Sequence, residues 1–200
     1  MSRERKPAGE RREEIIAAAL DLAHEVGPDR ITTEAIAGRI GLTQAAIFRH
    51  FPRKADIWAA AIGWLRERLS RRWAEALSGE GRPSEKLRTL LVGQFRFVAG
   101  VPALPAVLLS RELQAEGGIV QQAILGVMDG FRVALAGVVR DGQEAGEIRP
   151  GLDPDRAAFA LIAMVQGTAL RWAMQGRAFD LVAEGEAVVD IALDGLLSRS

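Results

Sequence analysis

The stretch Thr33–Lys54, TEAIAGRIGLTQAAIFRHFPRK, constrains this chain more than any other. It reads as two short helices crossing around a tight turn, which restricts residue choice at several positions at once. Gly41 stands at the turn, where a positive φ is easiest without a Cβ. Ala37 is small where the helices approach most closely, and Ile36, Ile40, Leu42 and Ile47 supply the apolar seam. Thr33 or Thr32 can cap the first helix and Thr43 the second. The pattern is that of a helix-turn-helix, and Gln44–His50 is then the candidate reader of a DNA major groove.

Charge is distributed to match. The chain balances 26 basic against 26 acidic residues, which is not the global excess of a non-specific nucleic-acid binder. Locally, Arg3, Arg5, Lys6, Arg11 and Arg12 face only Glu4 and Glu10 in the first twelve residues. Arg49, His50, Arg53 and Lys54 face only Asp56. Two basic clusters flanking the reading helix would neutralise phosphates there.

Composition sets further bounds. With 48% hydrophobic residues in 200, the chain can bury a sizeable core in one large domain or two small ones. It has no Cys, so neither disulfides nor thiolate metal sites hold it together. No apolar leader follows the opening MSRERKPAGERREE, and the unbroken apolar runs are too short to span a bilayer. The expectation is a cytoplasmic protein with no membrane partner.

Helical periodicity extends along nearly the whole chain. A helix over about Glu10–Val26 is stopped by Gly27-Pro28. Phe48 and Phe51 look like core aromatics closing a three-helix unit, although Phe48 can equally face DNA. A long helix starts near Lys54 or Ala55 and reaches about Leu77, with Trp58, Ile62, Leu65, Leu69 and Trp73 on one stripe. After the loop Ser78–Pro83 come helices over Ser84–Ala99, over Val101–Ala115, which Pro102 and Pro105 interrupt so that it starts late or kinks, and over Ile119–Arg140. Asp141–Gly151 reads as a turn-rich connection. Asp153-Pro154 opens a helix to about Met174, and a last helix covers about Glu184–Leu197.

The helix from Pro154 is apolar on most sides, so it must be buried on more than one. The last two helices carry more apolar surface than a chain this size covers internally. A second copy packing them as a four-helix bundle would bury it with two-fold symmetry. The expected architecture is all-α: a helix-turn-helix domain over residues 1–56, joined by the long helix to a helical effector-binding and dimerisation domain over residues 57–200.

ITTEAIAGRIGLTQAAIFRHFPRKADIW resembles the DNA-binding segment of the TetR family of transcriptional regulators, closely over Arg11–Trp58. AGEIRPGLDPDRAAFALIAMVQG (Ala145–Gly167) more loosely resembles the family's ligand-domain segment. The resemblance implies an all-helical homodimer that binds an operator and is released by a small molecule. It also implies that Thr33 and Lys54 contact phosphate, that Thr43 caps the reading helix and touches the backbone, that Gln44, Ala45 and Ala46 face bases, and that Arg49 and His50 sit near the groove edge. Phe48 stands where Tyr is common, so a phenolic hydrogen bond to phosphate is lost. Ala45 stands where Gly is common, and its methyl could meet a thymine methyl. In chemical terms Gln44 can read adenine, while Arg49 can take a guanine or a phosphate.

Apolar and soft side chains in the C-terminal part nominate a pocket for an apolar or amphipathic effector: Phe95, Val98, Leu104, Leu108, Met128, Phe131, Met164, Gln166 and Trp172. Plain core explains the same spacing. Arg111, Glu112 and Arg171 are possible polar contacts. A DNA-organising or division-linked factor of the same fold, acting through a protein partner, is the alternative function. An enzyme fits poorly. There is no phosphate-binding glycine loop, His24 and His50 are the only histidines, and Asp190 and Asp194 share a charged helix face. No metal ligand set and no cofactor are expected.

Overall fold

The computed structural model of the chain describes residues 7–110, 113 and 118–198. Among these residues the fold is all-helical, with one isolated antiparallel bridge between Ile148 and Leu197. The helices are α1 (Ala8–Val26), α2 (Thr33–Arg39), α3 (Gln44–His50), α4 (Lys54–Ser78), α5 (Pro83–Gly100), α6 (Leu104–Leu109), α7 (Ile119–Glu144), α8 (Pro154–Met174) and α9 (Leu181–Leu196), with a 3-10 turn at Pro28–Arg30. The chain forms two compact units: the described parts of Met1–Leu65 with Ala106–Leu125, and of Arg66–Pro105 with Gly126–Ser200. The division falls inside α4, C-terminal to the expected 56/57 boundary.

In the first unit α1 buries Ile15, Ile16, Ala19, Leu22 and Ala23, as its periodicity requires. Val26 breaks that stripe and is exposed. Ile31, Ile36, Ile47, Phe51 and Trp58 complete the core, each at most 2% exposed. Residues 106–110 belong to this unit too. The Ser110 hydroxyl, itself buried, donates to the carboxylate of Asp29 in the 3-10 turn and accepts from the Leu113 N–H at 3.1 Å.

The second unit is built around α5 and α9. Gly185 of α9 lies so close to the buried Phe95 that a Cβ there would sit 2.5 Å from the ring. Arg88–Asp190 at 2.9 Å and Arg96–Glu186 at 3.0 Å tie the same two helices on their exposed sides. Trp73 stacks on Phe131 with ring centroids 5.0 Å apart. Asp153 caps α8 by accepting from the N–H groups of Asp155 and Arg156, with Pro154 in the first turn.

Two expected boundaries shift for identifiable reasons. Helix α9 begins at Leu181, one turn before Glu184, because Asp180 accepts from Val182 and Ala183 at 2.9 and 3.1 Å. Helix α7 runs on to Glu144, through Gly142 and past Asp141, where the connection was expected to start. That glycine is a close-approach site: a Cβ would meet the Ile148 side chain at 2.5 Å. Gln143 holds the following turn by donating to the Arg149 and Leu152 carbonyls at 2.9 and 2.8 Å. Contrary to the expectation from unbroken runs, α7 and α8 are each long and apolar enough to cross a bilayer by length and composition alone. Both bury apolar faces in this fold, including Phe131, Leu135 and Val139 of α7 and Leu161, Val165 and Trp172 of α8.

Candidate nucleic-acid interface

The helix-turn-helix is closed by backbone bonds that the sequence implied. Helix α2 ends with the Leu42 N–H on the Ala37 carbonyl at 2.8 Å and the Gly41 N–H on the Gly38 carbonyl at 3.2 Å. This is a Schellman ending, which needs a left-handed residue between helix and turn, and Gly41 has φ 64°. Gly41→Val is expected to cost about 1–2 kcal/mol through forced left-handed backbone, read as a lower thermal midpoint. An unchanged midpoint would mean that the turn relaxes without strain.

Both helices are capped by threonine. Thr32 Oγ1, rather than that of Thr33, accepts from the Ala35 N–H at 3.1 Å, and Thr43 Oγ1 accepts from Ala46 at 3.2 Å. That frees Thr33 for a different task. It is 8% exposed, and its hydroxyl oxygen accepts a 2.7 Å hydrogen bond from Gln44 Nε2 across the turn.

Exposure sorts the expected contact residues. Gln44, Ala45, Phe48 and Arg49 are exposed, Phe48 at 42%. Gln44 and Phe48 are one turn apart and share a face of α3. Phe51, fully buried, is therefore the aromatic that closes the three-helix unit, and Phe48 is not a core residue. Ala46 corrects the expected base-facing set: it is 8% exposed, on the core side of α3 beside Ile47. The helix phase puts it there, two positions from Gln44 and so on the opposite side. His50 and Lys54 are half-buried at the ends of α3 and α4.

The flanking charges are partly committed within the unit. Arg53 binds Asp56 through its guanidinium at 2.7 Å and its backbone N–H at 3.0 Å. That guanidinium bond holds the Asp56 carboxyl below its ordinary value. Arg11 pairs with Glu14. Arg12 donates to the His50 carbonyl at 2.5 Å and lies 4.1 Å from the Phe51 ring centroid. A residue expected to neutralise phosphate thus also closes the C-terminal end of α3 onto α1. Arg3, Arg5 and Lys6 lie outside the described residues.

A family model described as "Bacterial regulatory proteins, tetR family" matches residues 15–61, and one described as "Tetracyclin repressor-like, C-terminal domain" matches residues 105–182. The HTH-type transcriptional regulator TtgR of Pseudomonas putida is 33% identical over 97% of this chain and 95% of its own length. The chain belongs to the TetR family. FadR from Bacillus subtilis, solved in complex with stearoyl-CoA, superposes with TM-score 0.81 at 26% identity, covering 92% of this chain and 98% of its own. A nucleoid occlusion factor SlmA, from Marinomonas sp., is 27% identical over 79% of this chain and 80% of its own length. As a TetR-family member the protein is a ligand-responsive, DNA-binding transcriptional regulator of all-helical fold and not an enzyme.

The residues nominated for an effector pocket are distributed over both units. Leu108 falls in the first unit and the other eight in the second. Phe95, Phe131 and Trp172 are buried in packing contacts: Phe95 against Gly185, Phe131 against Trp73, and Trp172 with its indole N–H on the Phe179 carbonyl at 3.0 Å. Val98 is also buried. Leu104, Met128 and Met164 are half-buried, and the exposed Gln166 reaches Met128 Sδ at 3.7 Å. Of the possible polar contacts, Arg171 is exposed, while Arg111 and Glu112 lie outside the described residues.

Proposed function

We propose that this chain represses transcription in the cytoplasm by binding a palindromic operator as a homodimer through α8 and α9, and that a small amphipathic effector releases it. The observation that carries the first part is the exposed face of α3, where Gln44 and Ala45 follow the capped N-terminus, Phe48 and Arg49 lie one turn further along, and the buried Ile47 anchors the helix. A single seven-residue helix reads few base pairs, so two copies on successive half-sites supply affinity and specificity together. The exposed Phe159 of α8 and Ile191 of α9, at 70% and 73%, support those helices as the face for the second copy. The likeness to a regulator that holds stearoyl-CoA supports an effector of acyl-CoA type, with the half-buried Leu104, Met128 and Met164 and the exposed Gln166 as its nominated contacts.

Selection of duplexes from a random pool is expected to enrich a palindrome whose half-site centres are about 34–36 Å apart or a multiple of that. Stearoyl-CoA is then expected to release the protein from that operator. Its effect can be no larger than its differential affinity for the free and bound conformations. Weak, salt-sensitive binding with no enriched sequence would overturn the reading. The likeness to nucleoid occlusion factors supports a second reading, a DNA-bound factor acting through a protein partner. Enrichment of an operator with no response to any acyl-CoA would favour that second reading.

A further inference from the structure

We infer that Thr33 is a positioning residue for Gln44, and that their hydrogen bond makes the reading helix prefer adenine over guanine at one position of each half-site. The inference rests on the proposed base-reading role of Gln44. A glutamine amide carries one acceptor oxygen and two N–H donors, and what it can read depends on which of these point outward. Guanine offers two acceptors in the major groove, N7 and O6, whereas adenine offers an acceptor at N7 and a donor at N6. A free glutamine can meet either purine, with two donors for guanine or with a donor and the acceptor for adenine.

Here one donor is already used. Gln44 Nε2 gives a 2.7 Å hydrogen bond to Thr33 Oγ1, and Thr33 is held at 8% exposure in the first turn of α2. The N–H pointing away from Oε1 suits this bond, which leaves Oε1 and the N–H beside it as the free edge of the amide. That edge is one acceptor next to one donor and complements adenine. Guanine would require the second N–H to leave Thr33, stranding a largely buried hydroxyl oxygen without its partner. The hydrogen bond also removes rotational freedom from a long side chain before DNA arrives, which lowers the ordering cost of binding.

The test uses the full-length protein and the operator found by selection, with all four bases placed symmetrically at each position. Gln44→Ala should flatten preference at one position per half-site, where the unmodified protein takes adenine. Thr33→Val keeps the shape and removes the hydroxyl. It should lower the adenine-to-guanine ratio at that same position by about tenfold or more, the order of discrimination a bidentate pair supplies. Preferences at the other positions should persist, which also reports a folded reading head. Thr33→Ser should restore the ratio, and Thr33→Val/Gln44→Ala should match Gln44→Ala alone at that position.

A Thr33→Val protein that binds every sequence more weakly, with a shallower salt dependence and the same ratio, would overturn the inference and leave Thr33 as a phosphate contact only. A preference for guanine in the unmodified protein would overturn it as well, because both amide N–H groups would then face the base. If Gln44→Ala changes no base preference, the base-reading role itself falls and the inference with it. That outcome is distinct from a failure at Thr33 alone.

Discussion

Phe159→Glu/Ile191→Glu is expected to turn the protein into a monomer and to lower operator affinity by about a hundredfold or more. Both side chains are large, apolar and more than two-thirds exposed, Phe159 on α8 and Ile191 on α9. Covering each in a dimer would contribute about 1.5–3 kcal/mol, and a buried, unpaired carboxylate would add a penalty of its own. Losing the partner separates the two reading heads, so the second half-site is no longer bound at high effective concentration. That gain commonly amounts to about 10²–10⁴ in affinity. Sedimentation velocity at micromolar protein and titration of a labelled operator read the two effects. A double variant that stays dimeric with unchanged operator affinity would place the interface elsewhere.

Gly185→Ala is expected to destabilise the protein by about 1–3 kcal/mol, although alanine is the better helix former. The added methyl would lie 2.5 Å from two Phe95 ring atoms, and Phe95 is fully buried with no room to withdraw. Overpacking therefore outweighs the propensity gain of about 1 kcal/mol. Gly93 is the control. It lies inside α5 with nothing within 4 Å of its would-be Cβ, so Gly93→Ala should raise stability by about 0.5–1 kcal/mol. Thermal unfolding at one fixed protein concentration reads both, since a dimer's midpoint depends on concentration. Equal shifts for the two variants would show that α5 and α9 can separate to admit a methyl. The flanking Arg88–Asp190 and Arg96–Glu186 pairs are exposed and would contribute little to resisting that separation.

These two glycines differ only in what packs against them, which marks the limit of a linear reading. The helix-turn-helix was legible because local chemistry dictates it: Gly41 must turn left-handed, Thr43 must cap, and Ile36 and Ile47 must be buried. Each of these needs a residue type at a short spacing, and all appear in the structure. The start of α8 at Asp153-Pro154 was legible for the same reason. The start of α9 was less legible: the helix opens at Leu181 behind its cap Asp180, one turn before the expected Glu184.

Gly142 fell within the turn-rich connection expected over Asp141–Gly151. Only the approach of Ile148 from beyond the turn explains it inside α7. Phe48 could serve the core or face DNA in one dimension, and Phe51 read as core; the folded unit exposes Phe48 and buries Phe51. Ala46 moved to the core by the phase of α3, two residues from Gln44. The nominated effector residues were the least legible. Aromatic and Met side chains at helical spacing satisfy a core and a pocket equally, and Trp73 and Gly185 claimed two of them as packing partners.

By itself, then, the amino-acid sequence determined the family, the all-helical class, the capped reading helix and the excess apolar surface of the last two helices. These follow from periodicity and from contacts spanning a few residues. The tertiary structure alone decided which face of α3 looks outward, that Arg12 closes α3 onto α1, that Ser110 holds Asp29, and that Thr33 holds Gln44. Each hydrogen bond joins groups eleven or more residues apart in the chain. Such pairs form only after the helices have packed, and no local preference of either residue announces them.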